Sequence, residues 1–322
     1  MFIHPLGLQL PGLPALAPDK VIFPVSHRAI RGTAGGTHQE VPLFDGKTGG
    51  RRKLFPWGMG CEKQPTADAV SPDLACYLGD RVRIGRNRIE QIYNGVDTAR
   101  FQPSPTGKLP LPGCPFAAAS HWHVGTVGRM ETVKDQINLA RAFVRALALH
   151  PEARRRMRLV MIGDGALRSQ VEAILSAAGV RDLAWLPGEL SDIPALLQGL
   201  DCFVLPSLAE GVSNTILEAM ATALPVIATR VGANGDLVQD GSTGQLVPAS
   251  DSEALARAMI RYFDDPATAT RHGQSGRELV ERRFSLDRMV DDYHRLYSEL
   301  VQRRAFAVPG ARGVARDRRI SS

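Results

Sequence analysis

Cysteine is scarce in this chain. Cys61, Cys76, Cys114 and Cys202 are scattered, with no C-x-x-C pair and no histidines nearby at metal-ligand spacing, which excludes a disulfide framework and a sequence-readable zinc site and makes reduced thiols the expectation. Long apolar runs are also missing: none approaches the roughly eighteen residues of a membrane-spanning helix. The opening MFIHPLGLQLPGLPALAP has prolines through what would be a signal-peptide core and no basic leader before it. The expected location is cytoplasmic, with a peripheral position at the inner face of a membrane as an extension of that reading. Net positive charge is nearly absent from the body of the chain. The net charge is +6, but Arg303, Arg304, Arg312, Arg316, Arg318 and Arg319 less Asp317 supply +5 of it in residues 301–322. Such a tail reads as a solvated end, and nucleic acid is not an expected partner.

Two nucleotide signatures are absent as well. Gly163 and Gly165 are followed by Arg168 where G-x-G-x-x-G needs its third glycine, which weakens a nicotinamide dehydrogenase reading. DGKTGG resembles the end of a phosphate loop, but Val41 stands five positions before Gly46 where a glycine is required.

What is present from residue 123 onward is regular punctuation. The short apolar runs HVGTVG, RLVMIG, LAWLP, CFVLP and PVIAT alternate with amphipathic segments such as KDQINLARAFVRALALH and ALRSQVEAILSAAG. This is the text of an α/β fold, a Rossmann-like doubly wound parallel sheet covered by helices on both faces. Ile137, Ala140, Phe143, Val144 and Leu147 form one apolar helical stripe for the sheet. DSEALARAMIRYFDD and PATATRHGQSGRELVERRF read as paired helices at the sheet edge. Nearer the start, VSPDLACYLGDRV reads as a helix with Ser71 as N-cap and Pro72 in its first turn.

Ligands of such sheets sit at the carboxyl ends of the strands. The loops there read GRMETVK, GDGALR, GELSD and SLAEGVSN, rich in glycine, charge and small hydroxyls. Gly128 and Arg129 follow the first strand, and Lys134 stands where the next helix begins. Two cations at a helix N-terminus suit a diphosphate, since exposed N–H groups and the helix dipole add to the fixed charge. Glu210 lies in a loop and Glu218 in the opening turns of a helix capped by Ser213. Glu218 is one turn beyond Asn214 and faces a ligand whose anionic part would rest on the amides of residues 212–215. A carboxylate grips vicinal sugar hydroxyls well because it accepts two hydrogen bonds at once.

In order along the chain stand IYNGVDTARFQP, TVGRMETVKDQ, LVMIGDGALR, LPGELSDIPALL, FVLPSLAEGVSNTILEAMATALPVIAT, TGQLVPASD and RFSLDRMVDDYHRLY. Together, over roughly two thirds of the chain, they resemble the retaining glycosyltransferases of the GT-B fold, group 1, also called family 4. The E-x(7)-E pair at 210 and 218 is the specific part of the likeness. The resemblance implies a sugar transferred from a nucleoside-diphosphate sugar to a polysaccharide or lipid-linked acceptor, of exopolysaccharide type, with retention of configuration. It implies Arg129 and Lys134 as the diphosphate clamp, Glu210 beside the reacting carbon and Glu218 on the ribose. Gly128, Gly211, Val212, Ser213, Asn214 and Thr215 would meet the donor's sugar and phosphate, and Leu190 would border the base. It implies neither cofactor nor metal, in keeping with the absence of a D-x-D pair.

The implied organisation is an irregular or disturbed segment at 1–69, the end of an acceptor domain and linker at 70–110, and a donor-binding domain at 111–285. A crossover helix at 286–302 and a basic flexible tail at 303–322 complete it. The text before Ala69 departs from the family pattern: it has no glycine-rich first loop, and His4, His27 and His38 match no family position. The expectation is an amino-terminal domain truncated or disturbed in frame. The alternative function is then a catalytically impaired nucleotide-sugar-binding remnant. The apolar face of the last helix, Leu286, Met289, Tyr293, Leu296 and Leu300, is expected to be partly exposed.

Overall fold

The structure, a computed structural model, describes Pro24, Val25 and residues 67–306. His4, His27, His38, Cys61, the DGKTGG fragment, the Leu300 side chain and the tail beyond Phe306 lie outside the described residues.

A small parallel sheet comes first in the chain, in the order β1 (Pro24–Val25), β2 (Ala67–Ala69), β3 (Ile89–Gln91). Helix α1 (Pro72–Asp80) connects β2 to β3; Ser71 accepts a hydrogen bond from the Leu74 amide (3.2 Å) and Pro72 opens the first turn. Ala69, Leu74 and Leu78 bury the underside. Within the segment read as irregular or disturbed, 24–25 and 67–69 are paired strands. Strands this short have no period of their own, and their register comes from partners distant in sequence.

The main sheet has six parallel strands: β4 (Trp122–Val127), β5 (Met157–Ile162), β6 (Ala184–Gly188), β7 (Cys202–Leu205), β8 (Val226–Thr229) and β9 (Gly244–Val247). Their order, β6-β5-β4-β7-β8-β9, reverses direction between β4 and β7, which is the topological switch point of a doubly wound sheet. Both faces are covered. In β5, Leu159 and Met161 enter one core and Val160 and Ile162 the other, the period-two division of a strand buried on both sides.

Helices α2 (Gln136–Leu149), α3 (Pro151–Arg156), α4 (Arg168–Ala177) and α8 (Ser252–Asp264) fill the first core. The α2 stripe lies there as expected, with Phe143 fully buried. Helices α5 (Ile193–Leu197), α6 (Asn214–Ala221), α7 (Asn234–Leu237) and α9 (Pro266–Arg283) supply the second. Although α8 and α9 both touch the edge strand β9, their main apolar faces diverge. Met259 and Tyr262 of α8 face α2's core, whereas Leu279 and Val280 of α9 face α6's.

Helix α10 runs from Leu286 to Phe306, so Arg303 and Arg304 are helical rather than part of a tail. Three residues of its apolar face are covered, against expectation, and Leu286 is partly buried. Met289, Tyr293 and Leu296 are buried around Ile92. The cause is the chain leaving β3, which pairs Val96 with Ser285 beside the start of the helix.

Candidate functional site

The loops after β4 and β7 flank the switch point and are tied by a hydrogen bond from the Leu208 amide to the Val133 carbonyl (2.9 Å). Across this junction Lys134 Nζ donates to Glu210 Oε1 at 2.5 Å, with side chains 24% and 10% exposed. Ser207, itself buried, donates its Oγ hydrogen to the same oxygen at 2.6 Å. Thr229 Oγ1 in turn donates to the Ser207 carbonyl (2.6 Å), and Asn234 Nδ2 to the Thr229 carbonyl (2.9 Å). One oxygen of Glu210 is therefore fixed by two donors, and the loop bearing it is anchored through the end of β8.

Backbone packing sets the rest of the rim. A Cβ on Gly163 would stand 2.2 Å from the Gly128 carbonyl oxygen, one on Gly165 2.5 Å from that of Met130, and one on Gly232 1.9 Å from that of Glu210. All three have positive φ, so no L side chain fits either the space or the conformation. These glycines let the loops after β5 and β8 press against the loops that carry Arg129 and Glu210. Gly163 and Gly165 do not form a dinucleotide fingerprint; they support the neighbouring loop.

Arg129 points elsewhere than Lys134: its Nη1 donates to Glu131 Oε1 at 2.5 Å, and the pair is half exposed. Its carbonyl accepts from Gln136 Nε2 (2.7 Å), which fixes the backbone and leaves the guanidinium at the surface. Asp135, in the left-handed region at φ 46°, caps α2 by accepting from the Asn138 amide.

Ser213 caps α6 as read from the sequence, accepting from the Ile216 amide (3.4 Å), and its hydroxyl shares a hydrogen bond with Thr215 Oγ1 (3.1 Å). The other first-turn amides of α6 have no partner within the helix. Glu218, one turn on, is half buried, and burial pushes its carboxyl up to about 7, opposed by the positive charge of Arg100. Gly211 accepts from the Ala233 amide, and Val212 packs on the core below. Leu190 follows the edge strand β6, two strands from β4 in the sheet order, and is 36% exposed.

The structure thus joins Lys134 to Glu210 and places Gly128, Arg129 and residues 211–218 at the same end of the sheet. It leaves Arg129 separately paired. Four contributors escaped the sequence reading: Ser207 and Thr229 behind Glu210, Gly232 beneath it, and Asn94, whose Nδ2 donates to Asn214 Oδ1 at 2.9 Å. Asn94 and Arg100 lie within IYNGVDTARFQP, so the segment was marked but its contacts were not. Chemically the site offers two separately held carboxylates, two cations and a helix N-terminus, a set suited to a ligand with both anionic and hydroxyl groups.

A doubly wound parallel sheet with its polar groups gathered at the switch point is the architecture of a GT-B glycosyltransferase half, and solved GT-B enzymes share the fold over up to 74% of this chain. Residues 122–265 match the family profile described as "Glycosyl transferases group 1". Among similar proteins is the lipopolysaccharide core biosynthesis mannosyltransferase LpcC of Rhizobium leguminosarum bv. viciae, 34% identical over 65% of this chain and 59% of its own length. The UDP-Gal:alpha-D-GlcNAc-diphosphoundecaprenol alpha-1,3-galactosyltransferase of Escherichia coli is 30% identical over 66% of this chain and 55% of its own. The structure of sucrose-phosphate synthase from Thermosynechococcus elongatus superposes with a TM-score of 0.63 at 27% identity, covering 74% of this chain and 58% of that one. By these matches residues 122–265 are similar to the group 1 glycosyltransferases. The chain spans 59% and 55% of the length of the two curated relatives.

Proposed function

We propose that this chain is a retaining glycosyltransferase of family 4 that moves a hexose from a nucleoside-diphosphate sugar to a polysaccharide or lipid-linked acceptor, without a metal. The observation that carries the reading is the Lys134–Glu210 contact at the switch point, backed by Ser207 and set beside the α6 N-terminus. Transfer builds oxocarbenium character at the anomeric carbon and negative charge on the departing diphosphate. Cations fixed near the diphosphate stabilise that transition state more than the ground state. Arg129 and Lys134 take this role, the latter shared between Glu210 and a phosphate oxygen. Glu210, with one oxygen held, offers the other to the sugar beside the reacting carbon and stabilises developing positive charge. Glu218 accepts from the ribose hydroxyls, the amides of 211–215 meet sugar and phosphate, and Leu190 borders the base.

The acceptor is drawn from the relatives: one is named for a diphosphoundecaprenol substrate and one for lipopolysaccharide core synthesis. No described helix is long and apolar enough to cross a membrane, and the reading is a cytoplasmic protein meeting its acceptor at the inner membrane face. Calorimetric titration with UDP-, GDP- and ADP-sugars is the test. Saturable binding that Arg129→Ala and Glu218→Ala weaken, and Glu210→Gln spares while abolishing transfer, supports it. Equal loss of binding in all three variants overturns the role assignment, and binding without transfer by the unaltered protein favours a non-catalytic donor-binding remnant.

A further inference from the structure

Residues 92–96, IYNGV, lead from the small sheet toward the main one, and the backbone is fastened on both sides of Asn94. Ile92 donates its amide to the Ala69 carbonyl of β2 (3.0 Å) and buries its side chain among Met289, Tyr293 and Leu296 of α10. Val96 donates to the Phe284 carbonyl and accepts from the Leu286 amide, each at 2.9 Å, and Tyr93 meets Phe284 edge-on at 5.1 Å. Gly95 donates its amide to Met289 Sδ (3.2 Å), and a Cβ there would stand 2.7 Å from the Ser285 carbonyl oxygen and 2.8 Å from Leu286 Cα. Glycine is what lets this stretch lie so close to the start of α10.

From this fixed backbone Asn94 Nδ2 donates to Asn214 Oδ1 at 2.9 Å. Asn214 is as firmly placed. It is the first residue of α6, directly after the buried cap Ser213, and Ile216 and Leu217 anchor the helix in the core that also takes Val96. A carboxamide has one accepting end and one donating end. With Oδ1 of Asn214 turned to Asn94, its Nδ2 group is the end left for a ligand, and no described residue accepts from it. The first-turn N–H groups of α6 leave the helix end beside it, where an anion belongs. A carboxamide presenting NH2 there adds a donor; turned over, it presents a carbonyl oxygen and repels the same anion.

We propose that Asn94 is a positioning residue: by donating to Asn214 Oδ1 it holds that carboxamide with its NH2 group free for the anionic part of a ligand at the α6 N-terminus. That the ligand is a nucleoside diphosphate rests on the function proposed above; the direction of the Asn94–Asn214 bond does not.

Two measurements on the full chain test this. In the first, nitrogen-15 NMR without ligand follows the side-chain amides of Asn94 and Asn214, each assigned by its loss in the alanine variant. Asn214→Ala moves the bonded Asn94 amide proton upfield, because its acceptor is gone, whereas Asn94→Ala leaves the Asn214 amide protons nearly in place. The reverse pattern makes Asn214 the donor and overturns the proposal.

The second measurement is calorimetric binding of UDP, GDP and ADP. Asn94→Ala weakens binding by about fivefold, roughly the worth of one hydrogen bond. Asn94→Asp weakens it further, since a carboxylate only accepts and turns the Asn214 carboxamide over. In the Asn214→Ala background Asn94→Ala has no further effect, and Asn94→Asp costs less, through its added negative charge alone. Losses equal in the two backgrounds show that Asn94 does not act through Asn214; they overturn the positioning role and leave the proposed function standing. Failure of the unaltered protein to bind any of the three nucleotides overturns the proposed function and the role toward the ligand together, and the NMR pattern then decides the direction of the bond by itself.

Discussion

Glu218→Gln should stabilise the ligand-free protein, and increasingly so as pH rises. The Glu218 carboxyl stands at about 7 in the folded chain against an ordinary 4.5, with burial as the main cause. The folded state therefore holds this proton more tightly than the unfolded state does. Its contribution to stability is fully present below about pH 4.5 and is lost progressively as pH climbs to about 7, beyond which the folded protein carries a half-buried carboxylate. At about 1.36 kcal/mol per pH unit the full penalty is up to about 3 kcal/mol. Glutamine keeps the shape and never ionises. Thermal unfolding of the two proteins should nearly coincide at about pH 4.5 and separate by several degrees at about pH 8, with the variant higher, since about 1 kcal/mol moves a chain of this size by about 1–2 °C. Denaturant titrations at the same pH values give the free energy directly. A gap that does not change with pH would refute the burial argument. The same variant should bind nucleotide-sugars less tightly, the trade between stability and function expected of a charge held for a ligand.

Lys134→Met should cost about 3 kcal/mol by denaturant unfolding, because it strands Glu210 in a largely buried place with only Ser207 as partner. Arg129→Ala should change stability by less than about 1 kcal/mol, since the Arg129–Glu131 pair is half exposed; comparable losses from the two would contradict their separate placement. Gly232→Ala should destabilise by about 1–3 kcal/mol or more and lower transfer, because its Cβ would stand 1.9 Å from the Glu210 carbonyl oxygen at a positive φ; a crystal structure of the variant with the Glu210 loop unmoved would refute the steric reasoning. Tyr262→Phe should cost about 1 kcal/mol in thermal or chemical unfolding, by removing the buried 2.9 Å contact with His272.

The alternation of short apolar runs and amphipathic segments made the main sheet legible, because strands buried on both faces read as continuous apolar text and α2 carries an unbroken stripe. Loop composition then identified the strand ends that hold Arg129, Lys134, Glu210 and α6. The support behind Glu210 was not legible. Ser207 looks like any loop serine until Thr229, a strand away, is seen to hold its carbonyl. The Asn94–Asn214 contact spans 120 residues, and no local pattern reports such a distance. The burial of Met289, Tyr293 and Leu296 on α10 was not legible for the same reason: Ile92, which packs among them, lies far earlier in the chain.

The meeting of Val96 with Phe284 and Leu286 has a consequence for modularity. The chain enters and leaves the larger domain at neighbouring points, so residues 96–285 form a closed loop with adjoining ends. A unit of that kind can be excised, permuted or inserted into another scaffold without stretching a connection across its body. The same adjacency means that a pull applied along the chain passes through the short Val96–Ser285 bridge and leaves the six-stranded sheet unloaded.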